Sequence, residues 1–155
     1  METIPPTVQE IFVSERGSAP MQRVDEVEAV AGKGLQGDRY MLDTGYWSGV
    51  DACQVTLISA TAIEAIATET GIAIEAGQHR RNIIVSGMDV LDLAGKRFRI
   101  GEALFEYEQP RPPCRYIQSI TQEGMTKALG HGRGGICVKV LESGLLRTGD
   151  PIEPL

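Results

Sequence analysis

The chain is poor in aromatic residues, histidine, cysteine and positive charge, and each shortage removes a class of protein. Aromatics make up 5% of the 155 residues, so a core has to come from Ile, Val, Leu and Ala. The two histidines, His79 and His131, have no short-spaced ligand partner, which argues against a zinc or non-haem iron site. Three cysteines, Cys53, Cys114 and Cys137, are odd in number and widely spaced, so no disulfide framework is expected. They form neither a C-x-x-C pair nor a cluster that could hold iron and sulfur. Lys and Arg total 15 against 21 Asp and Glu, a net charge of −6, which argues against a nucleic-acid partner. No apolar run is long enough for a membrane span, and Met1–Pro6 shows no signal-peptide pattern. The expectation is a cytoplasmic protein without membrane contact. A Walker loop and a Gly-x-Ser-x-Gly elbow are also missing.

What the chain does have is punctuation. Eighteen glycines and eight prolines divide it into short apolar runs, with no repeat and no linker. That predicts one domain over residues 1–155, mainly β, compact and barrel-like, with about two peripheral helices. Strands are expected at Val8–Ser14, Val24–Val30, Gln54–Ile58, Asn82–Ser86 and Gly135–Leu141. Arg97–Ile100 and Ala103–Glu108 read as a hairpin across Gly101-Glu102. Ser59 as N-cap and Gly71 as C-terminal stop bracket a helix over Ala60–Thr70, anchored by Ile63 and Ile66. A second helix is expected over about Thr121–Leu129.

Four segments could carry chemistry. In Gly32–Tyr40 three glycines lie close together, with Lys33, Asp38 and Arg39 among them. Such backbone can approach a ligand, or the loop is simply held shut by an Asp–Arg pair. In Gly77–Asn82, Arg80 and Arg81 precede an apolar strand and could grip phosphate or carboxylate. Adjacent strand residues point to opposite faces, so one arginine at most is expected in a given cleft. In Gln109–Tyr116, prolines at 110, 112 and 113 stiffen the approach to Cys114, and Arg111 and Arg115 flank it. Cations favour the thiolate, the form that attacks or binds metal; the plainer reading is a small apolar side chain under a proline turn. In Gly130–Gly135, His131 and Arg133 sit among four glycines, a loop able to wrap an anion or merely to connect. Cys53 and Cys137 lie beside apolar strands and read as structural.

Taken in order, these segments resemble the MOSC family, named for the C-terminal domain of molybdenum cofactor sulfurases. The resemblance rests on Gly37-Asp38-Arg39-Tyr40 with Trp47-Ser48-Gly49, and on Gly77 with Arg80-Arg81-Asn82-Ile83. It continues through Leu93–Phe98 with Ile100-Gly101, Pro113-Cys114, Gly134-Gly135-Ile136 and Gly149-Asp150. The resemblance implies a β-barrel-like fold whose signature cysteine, matching Cys114, sits at the edge of a cleft. It implies the molybdenum cofactor, a pterin bearing a phosphate, with Cys114 as molybdenum ligand and N-hydroxylated small molecules as substrates. Contacts to the pterin and its phosphate would come from Arg39, Arg80, Arg81, Asn82, Arg115, His131 and Arg133, with the loop amides of Gly132 and Gly134. Pyridoxal phosphate binding accompanies the family only as an association. Electrons would come from a separate donor protein, since the chain has no iron–sulfur tail and no N-terminal extension of the amidoxime-reducing kind. The alternative is a sulfur carrier: Cys114 takes a persulfide from a sulfur-donor protein and passes it on. The third reading is a binding module in which Cys114 is inert.

Overall fold

The computed structural model describes residues 5–16, 19–42, 53–71, 79–111, 124–125 and 133–155. Within them the chain is mainly β. The strands are β1 (Thr7–Val13), β2 (Gln22–Val24), β3 (Glu26–Val30), β4 (Gly34–Leu35), β5 (Val55–Ser59) and β6 (Ile83–Ser86). They continue as β7 (Arg97–Ile100), β8 (Ala103–Pro110), β9 (Ile136–Glu142), β10 (Gly144–Arg147) and β11 (Ile152–Pro154). The helices are α1 (Arg39–Leu42) and α2 (Ala60–Thr70), with a 3-10 turn at Val90–Leu93. Most of the expected second helix, and the Trp47-Ser48-Gly49 motif, lie outside the described residues.

Eight strands form one sheet in the order β11-β7-β8-β9-β5-β6-β1-β2, and β10-β3-β4 form a second. Among the described residues the sheets do not close into a barrel, so the barrel-like expectation was loose, while the mainly β expectation holds. The one parallel pair in the large sheet is β5 with β6. A parallel return needs a crossover, and α2 supplies it. Its boundaries are those read from the sequence, and Gly71, in the left-handed region at φ 75°, closes it with an N–H bond to Ala67. Ser59 does not cap it as expected. Its hydroxyl instead accepts from the Val90 N–H at 2.9 Å, which ties the 3-10 turn to the end of β5.

β5 is buried at every position, and its two polar residues, Thr56 and Ser59, bond through their side chains to Asn82 and Val90. Alternate residues feed two cores. Ile11, Leu57 and Ile83 join Phe98 and Phe105 in a large cluster that also takes Val27, Ala29, Leu35 and Leu146 from the small sheet. Phe12, Ile58 and Ile84 face the other way, against Ile66 of α2 and Met125. The run expected as one strand over Val24–Val30 is two strands in different sheets. Asp25 breaks it, and the bend lets β3 leave β1 for the second layer.

The expectation of no disulfide is overturned: Cys53 and Cys137 are bonded, with Cα atoms 5.5 Å apart. Eighty-four residues separate them in sequence, but β5 and β9 are antiparallel neighbours, with Thr56 opposite Cys137. Topology closes the gap that spacing hid.

Candidate functional site

Several chain segments end together at one end of the large sheet. Here β1 finishes, β6 begins, β8 runs out at Pro110 and β9 starts after Gly135. Asn82 stitches them. Its backbone N–H reaches the Thr56 carbonyl, and its carbonyl accepts from Phe12. Its side-chain oxygen accepts from the Thr56 N–H and hydroxyl, both at 3.0 Å, and its amide donates to Phe12 O at 3.1 Å. The Asn82 side chain therefore extends the ladders of both neighbours of β6, and both of its polar atoms are engaged by protein.

Around this stitch lie Asp38, Arg39, His79, Arg80 and Arg81, all buried. The Asp38 carboxylate accepts from the Ser14 N–H at 3.0 Å and from Arg39 Nη1 at 3.0 Å. Arg39 Nη2 donates to the Arg80 carbonyl at 2.9 Å, and its guanidinium lies 4.5 Å from the centre of the Tyr40 ring. The Tyr40 hydroxyl accepts from Arg111 Nη2 at 3.1 Å. Arg111 Nη1 also lies 3.9 Å from the sulfur of Cys137, which places the disulfide beside this cluster.

Arg80 has φ 61°, the one left-handed non-glycine among the described residues. That backbone turn defeats strand alternation, so both arginines point inward, against the expectation that one at most would do so. Arg80 Nη1 donates to the Ala19 carbonyl. Arg81 Nε donates to Gly134 O at 2.6 Å, and its two terminal nitrogens reach His79 O and Arg111 O at 3.3 and 3.4 Å. Guanidinium groups thus hold four loops by their carbonyls and bring three positive charges into the interior, one of them paired with Asp38. A residue at such a φ costs on the order of 1–3 kcal/mol and persists where surroundings fix it. Of the other expected residues, Arg133 pairs with Glu69, and Gly134 meets Arg81 through its carbonyl. Cys114, Arg115, His131 and Gly132 lie outside the described residues.

His79, which carries no motif in the sequence, lies buried beside Arg81, Arg80 and Arg39. Its Nδ1 accepts from the Arg81 N–H at 2.8 Å. The ring proton of the neutral imidazole therefore sits on Nε2. That atom is buried and has no hydrogen-bond partner among the described residues. An orphaned buried donor costs about 1–3 kcal/mol. Phe12 flanks the ring edge-on, with centroids 5.4 Å apart. Burial, then the charges of Arg81, Arg80 and Arg39, lowers the His79 pKa from its ordinary 6.5 to about 3.

A pH dependence follows. Between pH 6.5 and 3 the unfolded chain binds a proton at His79 that the folded chain refuses, so stability falls as pH falls. The expected slope from this group is about 1.4 kcal/mol per pH unit, or about 2 kcal/mol lost at pH 5 relative to pH 7.5. Above pH 6.5 the contribution is flat. Urea denaturation of wild type and His79→Phe at pH 7.5, 6 and 5 checks this: the variant should lose less between the extremes. Equal losses in the two proteins count against a buried neutral imidazole.

Among the described residues no three His, Cys, Asp or Glu side chains gather as a metal site. No helix there is long and apolar enough to cross a membrane.

The sequence pattern of the MOSC domain matches residues 44–153, and the chain belongs to that family. Its fold is similar to that of the YuaD protein from Bacillus subtilis, with TM-score 0.78 and 23% identity over 97% of this chain and 96% of that one. YiiM from Geobacillus stearothermophilus aligns with TM-score 0.74 and 19% identity over 97% of this chain and 75% of that one. YiiM from Escherichia coli gives 0.72 and 19% over 98% and 70%. At these identities the likeness is one of fold. No curated protein matches the sequence.

Proposed function

We propose that this chain holds the molybdenum cofactor and supports reduction of N-hydroxylated small molecules, with Cys114 as the molybdenum ligand. The observation that carries the reading is the buried cluster of Arg39, Arg80 and Arg81 around an orphaned imidazole N–H, joined through the Arg81 bond to the carbonyl of Arg111, three residues before Cys114. The donor set fits the group. A phosphate end needs buried positive field and an uncommitted N–H, and His79 and its arginines offer both. A thiolate suits a high-valent metal centre of this kind better than it suits magnesium or calcium. The bond between Cys53 and Cys137 takes up the other two cysteines of the sequence.

In this reading Arg39, Arg80 and Arg81 supply the field for the phosphate, joined by Arg115, His131, Arg133 and the amides of Gly132 and Gly134. Asn82 holds the strand ends on which these loops are built. Arg111 and Arg115 flank Cys114 in sequence and favour its thiolate. When bound, the cofactor supplies the oxygen-atom and electron chemistry. The chain's own part is to bind, orient and keep the thiol ionised. In this reading the electrons come from outside this domain, whose one remaining cysteine cannot hold an iron–sulfur cluster.

The test is co-expression with cofactor synthesis, followed by molybdenum quantification. Wild type is expected to approach one molybdenum per chain, and Cys114→Ser to retain less than a tenth of that, the fall that loss of about 1.4 kcal/mol or more of binding energy produces at limiting cofactor. Equal molybdenum in both removes the ligand role and favours the persulfide carrier. No molybdenum in either overturns the cofactor reading.

A further inference from the structure

The arginines of the cluster spend their hydrogen bonds on protein. Arg39 holds Asp38 and the Arg80 carbonyl; Arg80 holds Ala19; Arg81 holds Gly134, His79 and Arg111. They give the cluster its charge, but each of them is aimed at a loop carbonyl. His79 is the opposite case. Its Nδ1 is committed to the Arg81 N–H, which forces the proton onto Nε2, and Nε2 has no acceptor among the described residues. Buried polar groups almost always find a partner, and the exceptions call for an explanation. Beside three buried guanidinium groups, the acceptor that suits this donor carries negative charge.

We propose that the Nε2–H of His79 is a ligand donor, giving one hydrogen bond to an oxyanion oxygen of a phosphate monoester held in this cluster. The proposal rests on the cofactor reading for the identity of the monoester, but not for the donor itself. The division of labour is physical. The arginines attract the anion and hold the loops; the imidazole fixes where one oxygen sits. A neutral donor suits the task, because it adds direction without adding a fourth buried charge. Since Nδ1 is locked by a backbone N–H two residues on, the ring cannot change tautomer without breaking that bond.

The chain has two histidines, so a long-range proton–nitrogen NMR spectrum of the full-length protein labelled at histidine is simple to read. Assignment comes from His79→Phe, which keeps an aromatic ring against Phe12. The free wild type should show His79 as the Nε2–H tautomer from pH 5 to 8. Inorganic phosphate and phenyl phosphate should each move that proton downfield and saturate. Phosphate affinity should fall roughly tenfold in His79→Phe, as expected for one hydrogen bond to a charged acceptor. A shift with inorganic phosphate alone overturns the monoester assignment. An Nδ1–H tautomer, an Nε2 proton that neither anion moves, or equal affinity in the variant overturns the donor role. If the variant does not fold, the wild-type tautomer and titration decide alone. Failure here with molybdenum still loading leaves the cofactor reading standing; the reverse result sinks that reading and keeps the donor.

Discussion

Asp38→Asn should lower the unfolding free energy by about 3–5 kcal/mol, the range for breaking a buried ion pair by removing one partner. Asp38 has no solvent exposure and Arg39 only 5%. The carboxylate neutralises Arg39 at 3.0 Å and also fixes the end of β1 through the Ser14 N–H. An amide in its place can still accept, so the loss is mainly that of the charge, which leaves a guanidinium buried and uncompensated beside two others. Because domains of this size are stable by only about 5–15 kcal/mol, the variant should sit near the edge of folding.

The double variant separates charge from packing. Arg39→Met keeps an apolar stem but leaves the carboxylate stranded, and should cost a similar amount. Asp38→Asn with Arg39→Met removes both charges and should cost less than the sum of the singles by at least about 1 kcal/mol, because paired sites in contact are coupled. Urea denaturation at pH 7.5 measures all three. Additive losses would show that the two side chains do not act as a pair. The bland reading of the glycine-rich loop, an Asp–Arg pair holding it shut, is what the contacts display. It does not compete with a binding role, since the same pair carries Arg39 Nη2 to the carbonyl of Arg80.

How legible all this was in the sequence depended on the range of the forces involved. The limits of α2 and the hairpin of β7 and β8 follow from local chemistry, a glycine stop and a two-residue turn, and both were readable. The partition of residues 22–30 between two sheets was not, because Asp25 looks like one more acidic residue between valines. The Cys53–Cys137 bond was hidden for the same reason: its partners meet only through strand order. At the site, the basic residues at 39, 80 and 81 and the glycine at 134 were legible as a set, and the structure brings them together. Their detailed use was not. A left-handed residue at position 80 turns two adjacent side chains to the same interior, and no pattern of period two can announce that. His79 was passed over because a lone histidine carries no motif. Its importance lies in an acceptor that it lacks, and an unmade bond leaves no trace in residue spacing.

Gly135→Ala should be as damaging as Asp38→Asn, for steric reasons instead of electrostatic ones. Gly135 has φ 86°, and a Cβ there would fall on the carbonyl oxygen of Leu57. That carbonyl belongs to β5 where it pairs with the start of β9, Leu57 lying opposite Ile136. β5 is buried along its whole length, so it has nowhere to retreat. Left-handed strain of about 1–3 kcal/mol adds to an overpacking cost of similar size, and a loss of about 3 kcal/mol or more is expected. Gly149→Ala isolates the two parts. Gly149 also has positive φ, 94°, but nothing lies within 4 Å of where its Cβ would stand. It should therefore show the strain alone, about 1–3 kcal/mol. Equal losses at 135 and 149 would mean that β9 can move away from β5. The distinction matters for the site. Gly135 O accepts from the Arg111 N–H at 2.9 Å, and Gly134 O accepts from Arg81. Forcing this turn outward would carry both carbonyls with it, so Gly135→Ala should also release Arg81 and weaken the phosphate binding proposed above, whereas Gly149→Ala, far from these loops in hydrogen-bond terms, should leave it unchanged.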